Sequence, residues 1–551
     1  MTLRSVDVAI IGAGTAGMVA YRQVRKLTDR IALIEGGPFG TTCARVGCMP
    51  SKLLIAPAEA RHRLQVLPEF GIGVGEGAVD GSTVMRRVRA ERDRFVGFVE
   101  DAVNGFDQAH IVRAHAAFED AHTLRLTAVE GASQVDRIKA GRIVIASGSR
   151  PTIPSSLKPA GDRLIVNDDV FNWQDLPGSV AVFGIGAIGV ELGQALHRLG
   201  VRVRLFGRGG GIAGLSDPEV RACAARTIAA EMPVSLDARD VRVARDGEAV
   251  VVDFVDDAGT ARSERFEWLL AATGRTSNVD RLALERTGLK LDQRGVPVFD
   301  PLTMQTSEKH IFIAGDSAAD RPILHEAADE GHLAGHNAAR FPEVFRHARR
   351  TPLGIAFSNP QIAFAGRRYA QLVADRIDFA IGEVSFVDQG RSRVMLVNQG
   401  LLRIYAEKGS GLLLGAEMIG PDNEHIAHLL AWVIQLRKTV GEVLELPFYH
   451  PVIEEGLRTA LRHLNEALGM GPHPPLRCID CGAGAAIDAP RIGGRNRQTT
   501  SLSCGDVERA DVTSVFAMTS SVAVSAIARS TARCAAFEMT TRAINPTAQP
   551  P

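Results

Sequence analysis

The sequence predicts an α/β protein built from two doubly wound units and a C-terminal α+β unit. Three observations predict it. The pattern Gly-x-Gly-x-x-Gly occurs at Gly12–Gly17 and again at Gly184–Gly189, each time between a short apolar run and a helix-patterned stretch. From Thr351 onward, short alternating apolar segments replace that pattern and precede two helical stretches. The chain is 551 residues long, 45% hydrophobic, with 55 glycines, enough for several cores of a globular α/β kind.

Lys plus Arg and Asp plus Glu number 63 each, so the formal net charge is zero. No charge excess points to nucleic acid or to an anionic membrane as a partner. Seven cysteines in a chain of this length do not make a secreted disulfide scaffold. They fit a reducing, cytoplasmic setting, where a paired motif is catalytic or metal-binding. The apolar N-terminal run Val6–Ile11 is too short for a signal sequence, and no uncharged run before residue 470 is long enough to span a bilayer.

In order, Val6–Ile11 reads as a buried strand. Gly12, Gly14 and Gly17 form the tight turn, and a helix runs from about Thr15 to Leu27. Ile31–Ile34 is the next strand and ends in Glu35. In this layout the helix N-terminus faces a pyrophosphate and the acid accepts from a ribose hydroxyl, so the first unit is a dinucleotide site. Next comes Gly40–Leu54, with Cys43 and Cys48 separated by four residues. Pro50 sits at a helix start and Ser51–Leu64 continue it, which leaves Cys48 near a helix N-terminus that favours thiolate. A metal site is the competing reading, but no further ligand pair follows at metal spacing, and no metal is expected. Two unrelated buried cysteines are the plain alternative.

Residues 36–54, GGPFGTTCARVGCMPSKLL, resemble the active-site segment of the class I pyridine nucleotide–disulfide oxidoreductases, whose motif has the form GGTCxNxGCxPSK. Pro50-Ser51-Lys52 is similar to the dihydrolipoamide dehydrogenase version. Thr42 and Arg45 depart from it, standing where the family often has Gly and Asn. The resemblance implies a redox disulfide, Cys43–Cys48, laid against an FAD.

Residues 82–104 read as a long Arg- and Glu-rich helix with a solvated charged face. Strands near Ile111 and Leu124 form a small meander. Ile143–Gly148 resembles the family strand that returns to the flavin sheet. A second dinucleotide unit begins near Pro177: strand Val180–Phe183, then Gly184, Gly186 and Gly189, a helix to Leu199, and strand Val201–Phe206. Two such units imply two dinucleotides, one FAD and one NAD or NADP. The acid expected after the last strand is missing. Arg208 stands there instead; it can pair with a 2′-phosphate or simply lie in solvent. In the family a glutamate at Glu191 pairs with the lysine at Lys52; from the residues alone Glu191 is equally a favourable dipole partner. Leu269–Arg275, with Gly274, resembles the motif closing the nicotinamide domain. His310–Asp316 resembles the second FAD fingerprint, whose aspartate binds the ribitol. The helix His325–Gly331 follows.

In the C-terminal unit, Ile362–Phe364, Phe379–Val384, Val394–Val397, Leu401–Tyr405 and Leu412–Ile419 read as strands, and about 422–438 and 454–468 as helices. This layer resembles the family's dimerisation domain. His450 and Glu455 match the His and Glu of the family motif HPTxSE, with Val452 and Glu454 in place of Thr and Ser. A carboxylate on one ring nitrogen makes the other a base for a thiol proton. The resemblance brings this pair from the second subunit and so implies a homodimer.

The domains expected are 1–150 with 273–345 for FAD, 151–272 for NAD(P), 351–470 for the interface, and a disordered tail at 471–551. The CxxC at Cys478 and Cys481 has no second ligand pair. The expected activity is oxidation of a small dithiol, first dihydrolipoamide, free or protein-bound, with electrons passing through Cys43, Cys48 and FAD to NAD(P)+. An NADPH-driven reductase of glutathione or another small disulfide is the alternative. A non-catalytic flavin-bearing subunit of a larger complex is the alternative of another class.

Overall fold

The computed structural model describes residues 2–75, 77–129 and 135–469. The readings made for the tail, Cys478 and Cys481 included, lie outside these residues. Strand Leu3–Ile11 pairs in parallel with Ile31–Ile34 on one side and with Arg137–Ile145 on the other. Ile111–Val112 and Ile311–Ile313 extend the parallel part, and Thr123–Ala128 and Ala114–Phe118 add an antiparallel flap. The central strands are apolar without alternation because both faces are covered: Val8, Ala9, Ile10, Leu33 and Val144 are fully buried. Helix Thr15–Val24 packs on the long helix Leu324–Arg340 across one face.

The second doubly wound unit is a parallel sheet ordered Val234–Ser235, Arg202–Phe206, Ser179–Phe183, Trp268–Ala271 and Leu164–Val166. A three-stranded antiparallel meander spans Arg239–Phe266. A short ribbon, Ser149–Pro151 against Arg275–Ser277, carries the chain out of the first sheet and back. The C-terminal unit is a five-stranded antiparallel sheet ordered 353–356, 361–366, 413–420, 401–407 and 379–385, with helices Asn423–Gln435 and Glu455–Leu468 packed on it. The chain thus has the two doubly wound units and the α+β unit expected of it.

Three local readings are corrected. The first helix ends at Val24, not Leu27. The helix behind the cysteines begins at Cys48 itself and reaches Val66, with Pro50 inside its first turn, where a missing N–H costs nothing. Val394–Val397 is not a strand. Ser392 N donates to Gln389 Oε1 at 2.7 Å and Ser392 Oγ to Phe386 O at 2.7 Å, which winds Gly390–Val394 into a helical turn. Among the described residues no helix is long and apolar enough to cross a membrane, and no group of three or more His, Cys, Asp or Glu has metal-site geometry.

Candidate active site

Both glycine motifs are cradles that a side chain would fill. Gly12 has φ +106°, and a Cβ on Gly17 would lie 1.8 Å from the Gly12 carbonyl oxygen. The second motif repeats this: Gly184 has φ +103°, and a Gly189 Cβ would lie 1.8 Å from its carbonyl oxygen. Gly14 and Gly186 have open space where a Cβ would be, so a ligand can approach the backbone there. Glu35 is held in place, accepting from Ala13 N at 2.8 Å and Gly37 N at 2.6 Å. Arg208 is exposed and makes no hydrogen bond or ion pair with the described residues.

Cys43 lies in the short helix Thr42–Val46, and Gly47 separates that helix from the one opened by Cys48. Both are free thiols. Cys48 is pulled down to about 7, first by the hydrogen bond from the Cys43 thiol; Lys52 adds to this and burial opposes it. The same hydrogen bond, with burial, pushes Cys43 strongly up. Both directions favour keeping the proton on Cys43 and thiolate character on Cys48. The glycine-like position in this segment is Thr41, with φ +57°, one residue before the departure read at Thr42. Thr42 instead opens the helix, and Thr41 Oγ1 caps it by accepting from Ala44 N at 3.3 Å.

One turn beyond Cys48, Lys52 Nζ donates to both oxygens of buried Glu191 at 3.0 and 2.9 Å. Glu191 also accepts from Phe357 N at 2.8 Å, and Lys52 lies 4.3 Å from the centre of the Phe357 ring. A cavity of about 640 Å³ brings these groups together. It runs from Gly14, Gly148 and Asp316 past Cys43, Cys48, Lys52 and Glu191 to the C-terminal unit at Leu353–Ile355, Phe357 and His428. Asp316 accepts from Ser149 Oγ at 2.6 Å, and Arg275 holds Ser149 through its Oγ and carbonyl at 2.7 and 2.8 Å. Gly148 and Gly274 have φ +69° and +105° at the two crossings of the ribbon. Gly315 N donates to buried Glu330, whose carboxyl burial pushes up to about 7, so the turn before Asp316 is anchored.

His450 is not on the wall of this cavity. Its side chain is 81% exposed, and Nδ1 lies 2.9 Å from both oxygens of Glu455. A carboxylate only accepts, so Nδ1 carries a proton and Nε2 is left as the base. The hydrogen bond from His450 lowers Glu455. The residues that sequence reasoning did not single out are Ser149, Phe357 and His428. The first two act through bonds of sequence separation above 120, and nothing local marks them.

The cavity, the open backbone at Gly14 and the anchored Glu35 and Asp316 fit an extended dinucleotide whose reactive ring reaches Cys48 and Lys52. Residues 6–331 match the family model described as pyridine nucleotide-disulphide oxidoreductase, and residues 353–461 match the dimerisation domain of that family. A dihydrolipoyl dehydrogenase of Geobacillus stearothermophilus is 27% identical over 470 residues, covering 85% of this chain and 97% of that one. A mercuric reductase of Streptomyces lividans is 30% identical over 457 residues, covering 81% and 93%. A mycothione reductase of Mycobacterium tuberculosis is 28% identical over 470 residues, covering 83% and 99%. The solved structure of the HOCl-induced flavoprotein disulfide reductase RclA of Escherichia coli, as a Cu(II) complex, has the same fold, with a TM-score of 0.70 at 21% identity over 83% of this chain and 99% of that one.

Proposed function

The chain belongs to the pyridine nucleotide-disulphide oxidoreductases, flavin-dependent enzymes that use FAD and NAD(P)H, and on that premise we propose that it oxidises dihydrolipoamide, free or protein-bound, with NAD(P)+. The observation that carries the reading is the placement of Cys43 and Cys48 on one cavity wall with the Lys52–Glu191 ion pair.

The residues divide the work as follows. A substrate thiolate attacks Cys43 Sγ of the oxidised pair, and the S–S bond breaks with Cys48 leaving as thiolate. Its depressed value makes Cys48 the better leaving group. His450, brought by the second subunit and oriented by Glu455, takes the proton of the second substrate thiol at Nε2. That thiolate attacks the substrate sulfur of the mixed disulfide, the Cys43–substrate bond breaks, and the Cys43 sulfur regains a proton. The cyclic disulfide leaves, and the reduced Cys43–Cys48 pair remains. Gly12–Gly17, Glu35 and Asp316 would hold FAD, which would supply the two-electron relay between that pair and the nicotinamide. Lys52 and Glu191 hold a fixed charge pair beside Cys48 at that end of the site.

A second reading, NADPH-driven reduction of a small disulfide, is favoured by Arg208. It stands exposed and unpaired where an acid selecting NAD would be. Mercuric reduction has less support, because the sequence has no cysteine between Cys223 and Cys478. Steady-state assay of the FAD-loaded protein decides. Dihydrolipoamide with NAD+ or NADP+ should turn over. Activity only with glutathione disulfide or mycothione and NADPH would overturn the first reading.

A further inference from the structure

We propose that Asp237 replaces the missing ribose-binding acid of the second dinucleotide unit and makes that unit selective for NAD over NADP; the inference rests on the NAD(P)-using flavoprotein reading above. The two units of this chain correspond bond for bond. Gly12 N donates to Ile34 O at 2.7 Å, and Gly184 N donates to Phe206 O at 2.8 Å, which equates Glu35 with Gly207. Glu35 N then donates to Val112 O and Gly207 N to Ser235 O, so the adjoining strands correspond as well. Gly207 has no room for an acid: a Cβ there would lie 2.6 Å from Leu236 O and 2.4 Å from Ile185 Cδ1.

In the first unit Glu35 accepts from Gly37 N at 2.6 Å. The counterpart of Gly37 is Gly209, and Gly209 N donates to Asp237 Oδ1 at 2.7 Å. Asp237 thus fills, from the adjoining strand's end, a bond that Glu35 makes within its own loop. An extra residue allows it. Ala114 N and Ala238 N donate back to the carbonyls of Glu35 and Gly207. Arg113 alone lies between Val112 and Ala114, whereas Leu236 and Asp237 both lie between Ser235 and Ala238. The nearby Asp257 is committed through both oxygens, to Leu236 N at 2.7 Å and to Asp237 N at 2.8 Å, and the second bond fixes the Asp237 backbone. Asp237 is exposed, and its Oδ2 has no partner among the described residues. Arg208 is held by no hydrogen bond or ion pair with those residues, so its charge is spread over many side-chain positions while the Asp237 carboxylate stays fixed. A fixed carboxylate accepts from a ribose 2′-hydroxyl and repels the 2′-phosphate of NADP.

The test measures equilibrium dissociation constants of NAD+ and NADP+ for the oxidised, FAD-loaded protein by titration calorimetry. The wild type should bind NAD+ about tenfold or more tighter than NADP+. Asp237→Asn keeps an oxygen for Gly209 N and removes the charge. It should cut that preference about tenfold, mainly by tightening NADP+. Asp237→Ala should in addition weaken NAD+, because the acceptor is gone. Arg208→Met should not lower the preference for NAD+. A wild type that prefers NADP+ would overturn the proposal. So would an Asp237→Asn protein with the wild-type ratio, or one that weakens both ligands equally, as loss of a purely structural cap would. Dihydrolipoamide is absent from these titrations, so each of these outcomes is separate from that of the turnover assay. Holoprotein that binds neither dinucleotide would overturn the NAD(P) reading as well.

Discussion

Cys48 and Lys52 carry the most direct tests. In the reduced protein the Cys48 thiolate is present above about pH 7 and lost as pH falls through that value, whereas an ordinary thiol would titrate near 9.0. Alkylation of Cys48, followed by mass spectrometry, should therefore reach half its maximal rate near pH 7, with Cys43 unreactive. Cys43→Ala removes the first cause of the depression and should move that midpoint upward; Cys43→Ser, which keeps a donor, should move it less. A midpoint still near 7 in Cys43→Ala would show that Lys52, not the thiol, sets it. Lys52→Met leaves buried Glu191 with only Phe357 N as partner. We expect a loss of about 3 kcal/mol in chemical unfolding, with Lys52→Met/Glu191→Gln less destabilised than Lys52→Met alone.

Among the elements, the two glycine turns separate folding from binding. A Gly17 or Gly189 side chain would overlap the carbonyl of Gly12 or Gly184. Either Gly→Ala change should cost about 4 kcal/mol or more, seen as insoluble or strongly destabilised protein. Gly14→Ala meets open space and should leave unfolding of the FAD-free chain within about 0.5 kcal/mol of wild type. It should still lose FAD, read as the flavin-to-protein absorbance ratio after gel filtration, because the new methyl stands where the pyrophosphate approaches. FAD retained at full ratio would place the pyrophosphate elsewhere. These turns were legible in the sequence because strand, turn and helix are all local. Val394–Val397 misled because an apolar run of four residues reads as a strand. The side-chain bonds of Gln389 and Ser392 instead wind Gly390–Val394 into a helical turn, and Met395–Val397 follow it outside any strand.

At the scale of the molecule, the cavity of one chain contains both cysteines but not its own His450. The C-terminal unit also exposes Leu429, Trp432, Leu436, Leu446 and Tyr449, the last 79% exposed. Such apolar exposure suits burial by a second copy. If His450 works from the partner subunit, co-expressed Cys48→Ser and His450→Gln chains should recover activity that neither has alone. Their mixed dimer keeps one site with intact Cys48 and intact His450. Were the pair to act within one chain, both sites of that dimer would be broken and no activity would return.

Chain order alone placed the two dinucleotide turns, the cysteine pair, the helix behind it and the antiparallel unit, since each is written in neighbouring residues or a short period. The family motifs supplied expected partners for Lys52 and His450. Tertiary contact decided the rest. The geometry of Lys52, Glu191 and Phe357 N depends on three segments that meet only after two domains and the C-terminal sheet have packed. The split protonation of Cys43 and Cys48 depends on a hydrogen bond between two helices. His428 entered the site from a helix with no motif at all. Electrostatics and hydrogen bonding act through space over a few ångströms, and spacing along the chain carries no record of distances that folding alone closes.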